Sequence, residues 1–279
     1  MTAAAAAASA LFSVAGRIVL VTGGGRGIGL HIARAFVAGG ANVFISSRSA
    51  ETCERTAAEL SAAGPGSCTA LAEDLSGEAG VKRLAARLAE AEPRGLDVLV
   101  NNAGVAWGGA LADYPAAQFS RVFDLNVRTP FMLTQALRPA LDRRAGAHGA
   151  SAPSRIINIG SVTGVVPQPF PTYPYDASKA ALHHLTRKLS SELAPRITVN
   201  ALAPGFVPTR MSRTLLAFVS EDAVRRAIPM ARWGDGDDLG GAAIFLASRA
   251  GAWVTGQVLV VDGGQAAMPL AMLPQQNEE

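Results

Sequence analysis

The chain is 279 residues long, 49% hydrophobic and 17% charged, with 29 glycines and a net charge of +3. This composition excludes a disordered or collagen-like chain, allows one sizeable core, and speaks against a nucleic-acid partner because no Lys/Arg run concentrates the small positive excess. Cys53 and Cys68 are the only cysteines, too few for a disulfide scaffold and suited to a reducing compartment, and no run of about eighteen apolar residues predicts a membrane span.

Residues 1–12 begin almost entirely in alanine and read as a frayed extension ahead of a single domain over 13–279. A cytoplasmic location follows from the cysteine usage. Organellar targeting by the extension is the alternative, since no acid precedes Glu51, although nothing before Arg17 is basic. Seven short apolar runs then read as strands: Arg17–Val21, Asn42–Ser46, Ser67–Ala72, Asp97–Val100, Arg155–Ile159, Ile197–Ala201 and Gln257–Val261. They lack polar alternation, as strands covered on both faces do. Helical patterns near 27–39, 50–63, 76–92, 115–143, 177–193 and 235–248 lie between them. The alternation predicts an α/β fold of the Rossmann type, a doubly wound seven-stranded parallel sheet with helices on both faces. Phe206–Trp233 is long for a connection at the carboxyl end of a strand and reads as a substrate lid.

The first strand runs into Thr22-Gly23-Gly24-Gly25-Arg26-Gly27-Ile28-Gly29. Glycines serve where the backbone must turn sharply and approach a pyrophosphate, and the helix that follows presents free N–H groups to it. The spacing is T-G-x-x-x-G-x-G rather than G-x-G-x-x-G. The second strand ends Ser46-Ser47-Arg48-Ser49 without the acid that would accept from a ribose 2′-hydroxyl. A guanidinium there favours a 2′-phosphate, so Arg48, with Arg26, selects NADP(H); a solvated loop charge is the plainer alternative for Arg48. Asp74 is either an adenine contact or a helix N-cap, and the two roles are compatible.

Tyr175 and Lys179 stand four apart, on one face of a helix. A phenol titrates near pH 10. A neighbouring ammonium, with the positive charge of an oxidised nicotinamide, would draw it down and make it an acid/base. Ser161 ends a strand, where its hydroxyl would hold a substrate oxygen. Asn126 lies inside a helical pattern that does not favour it, and Asn101-Asn102-Ala103-Gly104 ends the fourth strand.

Taken in order, these elements resemble the short-chain dehydrogenase/reductase family from Arg17 to Gly264. Within it the chain is most similar to the β-ketoacyl reductases, 3-oxoacyl-(acyl-carrier-protein) reductases of the rhamnolipid-pathway type. The finer resemblance rests on segments such as Phe12 to Arg17, Ala180 to His183 and Ile228 to Gly234. The resemblance implies that Tyr175 is the acid/base and that Lys179 tunes it and binds the nicotinamide ribose. Ser161 would orient the carbonyl, and Asn126 would hold a water linked to Lys179. It places Thr22, Gly23, Gly25, Arg26, Gly27, Ile28 and Gly29 around the cofactor. Ser47, Arg48, Asp74, Leu75, Asn102, Ala103 and Gly104 join them, as do Pro204, Gly205, Val207 and Thr209, the last against the carboxamide. It also implies a homotetramer, with a dimer as the alternative. The expected activity is NADPH-dependent reduction of a ketone, a 3-oxoacyl thioester among them. Oxidation of a secondary alcohol, steroid or sugar is one alternative, and a non-catalytic cofactor-binding regulator another. Four prolines between Val162 and Pro174 depart from the family pattern beside the expected pocket, as do Pro208 and Arg210 around Thr209. Arg210 or Arg213 would meet an acidic carrier or substrate, with a solvated loop charge as the alternative. The four histidines show no metal-ligand spacing, so no metal is expected.

Overall fold

The computed structural model describes residues 9–149, 152–215 and 220–267. Most of the alanine-rich extension, residues 216–219 of the segment read as a lid, and the side chain of Arg213 lie outside the described residues.

Seven parallel strands form one sheet in the order β3-β2-β1-β4-β5-β6-β7. They are β1 (Ile18–Thr22), β2 (Asn42–Ser46), β3 (Ser67–Ala70), β4 (Val98–Asn101), β5 (Ser154–Ile159), β6 (Ile197–Pro204) and β7 (Val258–Val261). The order reverses between β1 and β4, and ligands of doubly wound sheets bind at the carboxyl ends of the strands beside such a switch point. Strands β1, β4 and β5 are buried along their whole length, which is why their sequences show no alternation.

The strand boundaries differ from the sequence reading by a residue or two, except in β6, which runs on to Pro204. Its last residues Ala201 to Pro204 pair with Val258 to Val261 of β7. A proline is tolerated there because the ladder continues through the Gly205 N–H, which donates to Val261 O at 3.0 Å.

One layer of helices is α1 (Gly27–Ala38), α2 (Ala50–Ala63) and α9 (Gly236–Ala247), around Phe36, Val43 and Leu246. The other is α3 (Glu78–Ala91), α4 (Ala116–Phe123), α5 (Thr129–Arg144) and α6 (Tyr173–Leu193), around Leu84, Leu99 and Leu137. Leu99 and Phe36 are fully buried, and truncating either to Ala would cost about 3–5 kcal/mol. No helix among the described residues is long and apolar enough to cross a membrane.

Three helical expectations need correction. The stretch 115–143 is not one helix: a π-helical turn, Asp124–Arg128, separates α4 from α5. α6 begins at Tyr173 rather than 177, because Pro174 fits the first turn, where its missing N–H is not needed. Phe206–Trp233 contains two short helices, α7 (Arg210–Leu215) and α8 (Glu221–Ala227), the second capped by Ser220 Oγ accepting from the Ala223 N–H at 3.2 Å.

Two charged clusters hold the end of the sheet away from the switch point. Asp97, 1% exposed, accepts from the Ile18 N–H at 2.8 Å, from both Arg144 nitrogens at 3.1 Å, and contacts His148 at 3.0 Å. Arg155, equally buried, donates to Leu246 O and Ser248 O at 3.1 Å, closing the carboxyl end of α9. Burial pushes the Arg155 guanidinium down to about 10.

Candidate active site

At the carboxyl ends of the central strands lies a cleft of about 1040 Å³. Its floor is made where β1 and β4 end side by side. Thr22 Oγ1 accepts from the N–H groups of Asn102 and Ala103, both at 3.0 Å, and donates to Val100 O at 3.3 Å. The Asn102 amide returns to Thr22 O at 2.8 Å. The glycine turn follows. Gly23 and Gly27 adopt φ +68 and +56, the left-handed region that favours glycine. A Cβ on Gly29 would lie 2.5 Å from Gly23 O, so the turn tolerates no side chain there. α1 starts with no side-chain cap and no acid in its first turn, leaving its N–H groups open to an anion.

The outer corner of the cleft carries Ser47 and Arg48 from the turn after β2 and Arg26 from the glycine turn. Both arginines are exposed, and neither forms an ion pair among the described residues. Asp74 and Leu75 line the next wall. Asp74 is not the N-cap of α3, which is Gly77; its Oδ1 accepts from the Ser76 N–H at 3.0 Å in a local turn, leaving its other oxygen for a ligand. A buried hydroxyl without a partner, Ser46 Oγ, sits at the end of β2 on the cleft wall. Glycine turn, open helix end, paired guanidinium corner and this hydroxyl all fit a dinucleotide carrying an extra phosphate.

The opposite end of the cleft holds Tyr175 and Lys179 of α6 beside Ile159 and Gly160 of β5. The Lys179 ammonium donates to Ile159 O at 2.8 Å and lies 5.4 Å from the centre of the Tyr175 ring. Burial pushes Lys179 down to about 8. Burial also pushes Tyr175 up to about 12, against hydrogen bonding with Ser161 and with a small upward contribution from the Asp176 charge. The expectation that Lys179 draws the phenol down is therefore not met by the protein alone. The ammonium is committed to a carbonyl, and desolvation of the phenol dominates.

Ser161, 7% exposed, opens the turn after β5; its Oγ accepts from the Thr163 N–H at 3.2 Å. Asn126 stands in the π-helical turn and is 1% exposed. Its amide is engaged at both ends: Oδ1 accepts from the Val105 N–H at 2.9 Å, and Nδ2 donates to Val105 O at 2.9 Å and to Ser178 Oγ at 3.0 Å. The side chain thus braces the Val105 backbone at the cleft wall. Ser178 passes the link on to Tyr175 O at 2.7 Å.

Gly23, Gly25, Gly27, Ile28, Asn102, Ala103, Gly104 and Thr209 all reach the cleft surface; Thr22, Gly29, Ser161, Pro204, Gly205 and Val207 are not part of its lining. The Thr209 methyl would lie 3.5 Å from a Cβ on Gly27, so the start of the lid segment faces the glycine turn. Pro208 and Arg210, singled out from sequence beside Thr209, line the cleft, as do residues not singled out there: His31 of α1, Glu73 and Met211, and Ala117, Ser120, Arg121 and Asp124 from α4 and the π turn. The last four recur at helical spacing, a signal that reads equally as ordinary packing. A buried amide ladder ties the two ends of the cleft together: Asn101 Nδ2 donates to Asn158 Oδ1 at 2.8 Å, and Asn158 Nδ2 to Thr186 Oγ1 at 2.9 Å.

Residues 23–266 match the family profile described as enoyl-(acyl carrier protein) reductase. The chain is 49% identical over 255 residues to a rhamnolipids biosynthesis 3-oxoacyl-[acyl-carrier-protein] reductase of Pseudomonas aeruginosa, covering 91% of this chain and 97% of that one. It is 37% identical to a 2-dehydro-3-deoxy-D-gluconate 5-dehydrogenase of Bacillus subtilis, covering 91% and 96%. Among solved structures, a Pseudomonas aeruginosa RhlG/NADP active-site complex superposes with a TM-score of 0.86 at 47% identity, over 92% of this chain and 99% of that one. A Burkholderia cenocepacia gluconate 5-dehydrogenase in complex with NADP and tartrate superposes with 0.84 at 33%, over 93% and 99%. With nine-tenths of its length aligned to these relatives, the chain belongs to the short-chain dehydrogenase/reductase family, oxidoreductases that interconvert carbonyls and alcohols.

Proposed function

We propose that the protein is an NADPH-dependent reductase of ketones, with 3-oxoacyl thioesters as its substrate class. One observation carries the reading: a single cleft has the exposed Arg26 and Arg48 at one end and the Tyr175–Lys179 pair at the other. The two arginines would hold the 2′-phosphate by charge-assisted contacts. The glycine turn and the open end of α1 would take the pyrophosphate, and Thr209 the carboxamide. When bound, the cofactor supplies the hydride.

The chain's own residues handle the proton. Ser161 holds the substrate oxygen. Tyr175, kept protonated at neutral pH by its burial, donates to that oxygen as negative charge develops on it. Lys179 supplies positive charge beside the phenol and binds the nicotinamide ribose. Asn126 holds Val105 and Ser178 in place, and through Ser178 the backbone at Tyr175. Residues 206–233 act as the lid over the substrate, with Arg210 and Met211 at the cleft surface.

The 49% identity to a 3-oxoacyl reductase supports the thioester class. The dehydrogenases of gluconate type among the relatives support oxidation of a polyol as the second reading. Mixing protein, NADPH and an acetoacetyl thioester or other ketones, and separately NADP+ with polyols and sugar acids, and following the reduced nicotinamide absorbance tests both. NADPH consumption with the thioester, faster than with NADH, is expected. Turnover confined to polyols would overturn the substrate class, and a preference for NADH would overturn the reading of Arg48.

A homotetramer belongs to the same proposal. Phe119 of α4 and Phe131 of α5 remain 43% and 45% exposed, apolar surface that assembly would cover. The buried, unpaired Cys53 and Cys68 support a cytoplasmic location.

A further inference from the structure

The acid missing from the end of β2 stands one strand away. Past β3 the parallel ladder continues, the Leu71 N–H donating to Ile45 O at 2.8 Å and the Glu73 N–H to Ser47 O at 3.0 Å. Glu73 is thereby placed beside the turn of Ser47 and Arg48, and it lines the same cleft. The corner read as the 2′-phosphate site thus holds two guanidinium groups, Arg26 and Arg48, and two carboxylates, Glu73 and Asp74. Left at that, its charges cancel, and a carboxylate close to a phosphate repels it.

A fifth charge changes the balance. Arg83, on α3 and outside the cleft lining, reaches Glu73 with a two-pronged contact. Its Nε donates to Oε2 at 3.1 Å and its Nη2 to Oε1 at 2.9 Å, the geometry in which a guanidinium holds a carboxylate best. The same Oε1 accepts from the Asp74 N–H at 3.1 Å, so the contact also braces the turn that carries Asp74. The Glu73 side chain is 11% exposed and that of Arg83 59%: the acid is set into the wall and its counter-charge lies on the solvent side. Hydrogen bonding to Arg83 holds the Glu73 carboxyl below its usual range, so the acid is charged at neutral pH. Arg87 adds positive charge nearby while committing Nη1 to Ala72 O at 2.6 Å.

We propose that Arg83 is a positioning residue for cofactor choice: by anchoring and neutralising Glu73, it leaves the corner net positive and open to a 2′-phosphate. The inference rests on the reading of Arg26 and Arg48 as the 2′-phosphate contacts. The plainer role for the pair is a surface salt bridge, worth little to stability and nothing to cofactor choice.

The test uses pieces of the cofactor and needs no turnover. Calorimetric titration of the full-length, cofactor-free protein with adenosine 2′,5′-bisphosphate and with adenosine 5′-monophosphate gives two Kd values, whose ratio reads the 2′-phosphate alone. Arg83→Ala should lower the preference for the bisphosphate about tenfold, the scale of one uncompensated charge near a protein surface. The loss should shrink at about 1 M salt, where such charges are screened. Arg83→Lys should keep most of the preference, since it keeps the charge. Glu73→Gln, whose amide oxygen still accepts from the Asp74 N–H, should raise the preference by freeing the guanidinium. Combining Glu73→Gln with Arg83→Ala should return it to about the wild-type value, because no carboxylate is left to uncover. Equal weakening of both nucleotides by Arg83→Ala, the mark of a purely structural role, overturns the inference. So does a double variant as impaired as Arg83→Ala, since Arg83 would then act without Glu73. Should Arg83→Ala fail to fold, Glu73→Gln decides: an unchanged or lowered preference overturns the inference. A wild type that binds the two nucleotides alike would sink the reading of the corner itself, whereas a preference lost in Arg48→Ala but kept in Arg83→Ala sinks the inference alone.

Discussion

Lys179 stands over the ring of Tyr175, its ammonium 5.4 Å from the ring centre, yet donates its hydrogen bond to the Ile159 carbonyl rather than to the phenol. The two groups are moved by burial in opposite directions along the pH scale, Tyr175 up to about 12 and Lys179 down to about 8. In the free enzyme the phenol thus keeps its proton across the neutral range, while the ammonium titrates just above it.

The pH dependence follows from those positions. Desolvation disfavours the charged form of Lys179, so it is protonated below about 8 and neutral above. Reductive kcat/KM, which reports free-enzyme groups, should fall as pH rises through that point and show no limb from Tyr175. Tyr175→Phe should reduce kcat by a factor of about a hundred or more, with cofactor binding little changed. A profile flat to about pH 10 would contradict the assignment of Lys179.

Cofactor choice should reside in Arg26 and Arg48. Replacing either with Ala removes one charge-assisted contact, worth about 1.5–3 kcal/mol, or about tenfold or more in the NADPH-to-NADH ratio of kcat/KM. Turnover with NADH should hardly move. An unaltered ratio in Arg48→Ala would mean that its side chain is only a solvated charge.

Asn126→Ala strips the Val105 N–H and C=O of their partners in a buried wall. It should lower stability by about 2–3 kcal/mol and lower activity with it. Asn126→Asp keeps the shape but cannot donate to Val105 O or Ser178, so it should be no better. Denaturant unfolding of both variants checks this.

Asp97→Ala should separate stability from chemistry. It leaves Arg144 uncompensated in a buried setting at the far end of the sheet, at a cost of about 3–5 kcal/mol. At a temperature where the variant is folded, KM for both substrates should be unchanged.

The sheet and its helices were legible because strands covered on both faces carry runs of Val, Ile and Leu, as Ile18 to Val21 and Ile156 to Ile159 do. The glycine turn and the pairing of Tyr175 with Lys179 were legible because each needs a fixed spacing. The π-helical turn was not, since Asp124 to Arg128 differ from an α-helix by one hydrogen-bond step and not by residue type; only Asn126, out of place in a helix, hinted at it. The burial that lifts Tyr175 was not legible either, because it depends on what packs around the ring.

The ladder of Asn101, Asn158 and Thr186 runs through the interior from β4 across β5 to α6. Neither Asn is more than 3% exposed, so neither can exchange its partner for solvent while the fold is intact. The strand that carries the nucleotide floor and the helix that carries the proton donor are thereby latched below the cleft. Motion during turnover is left to parts outside that latch.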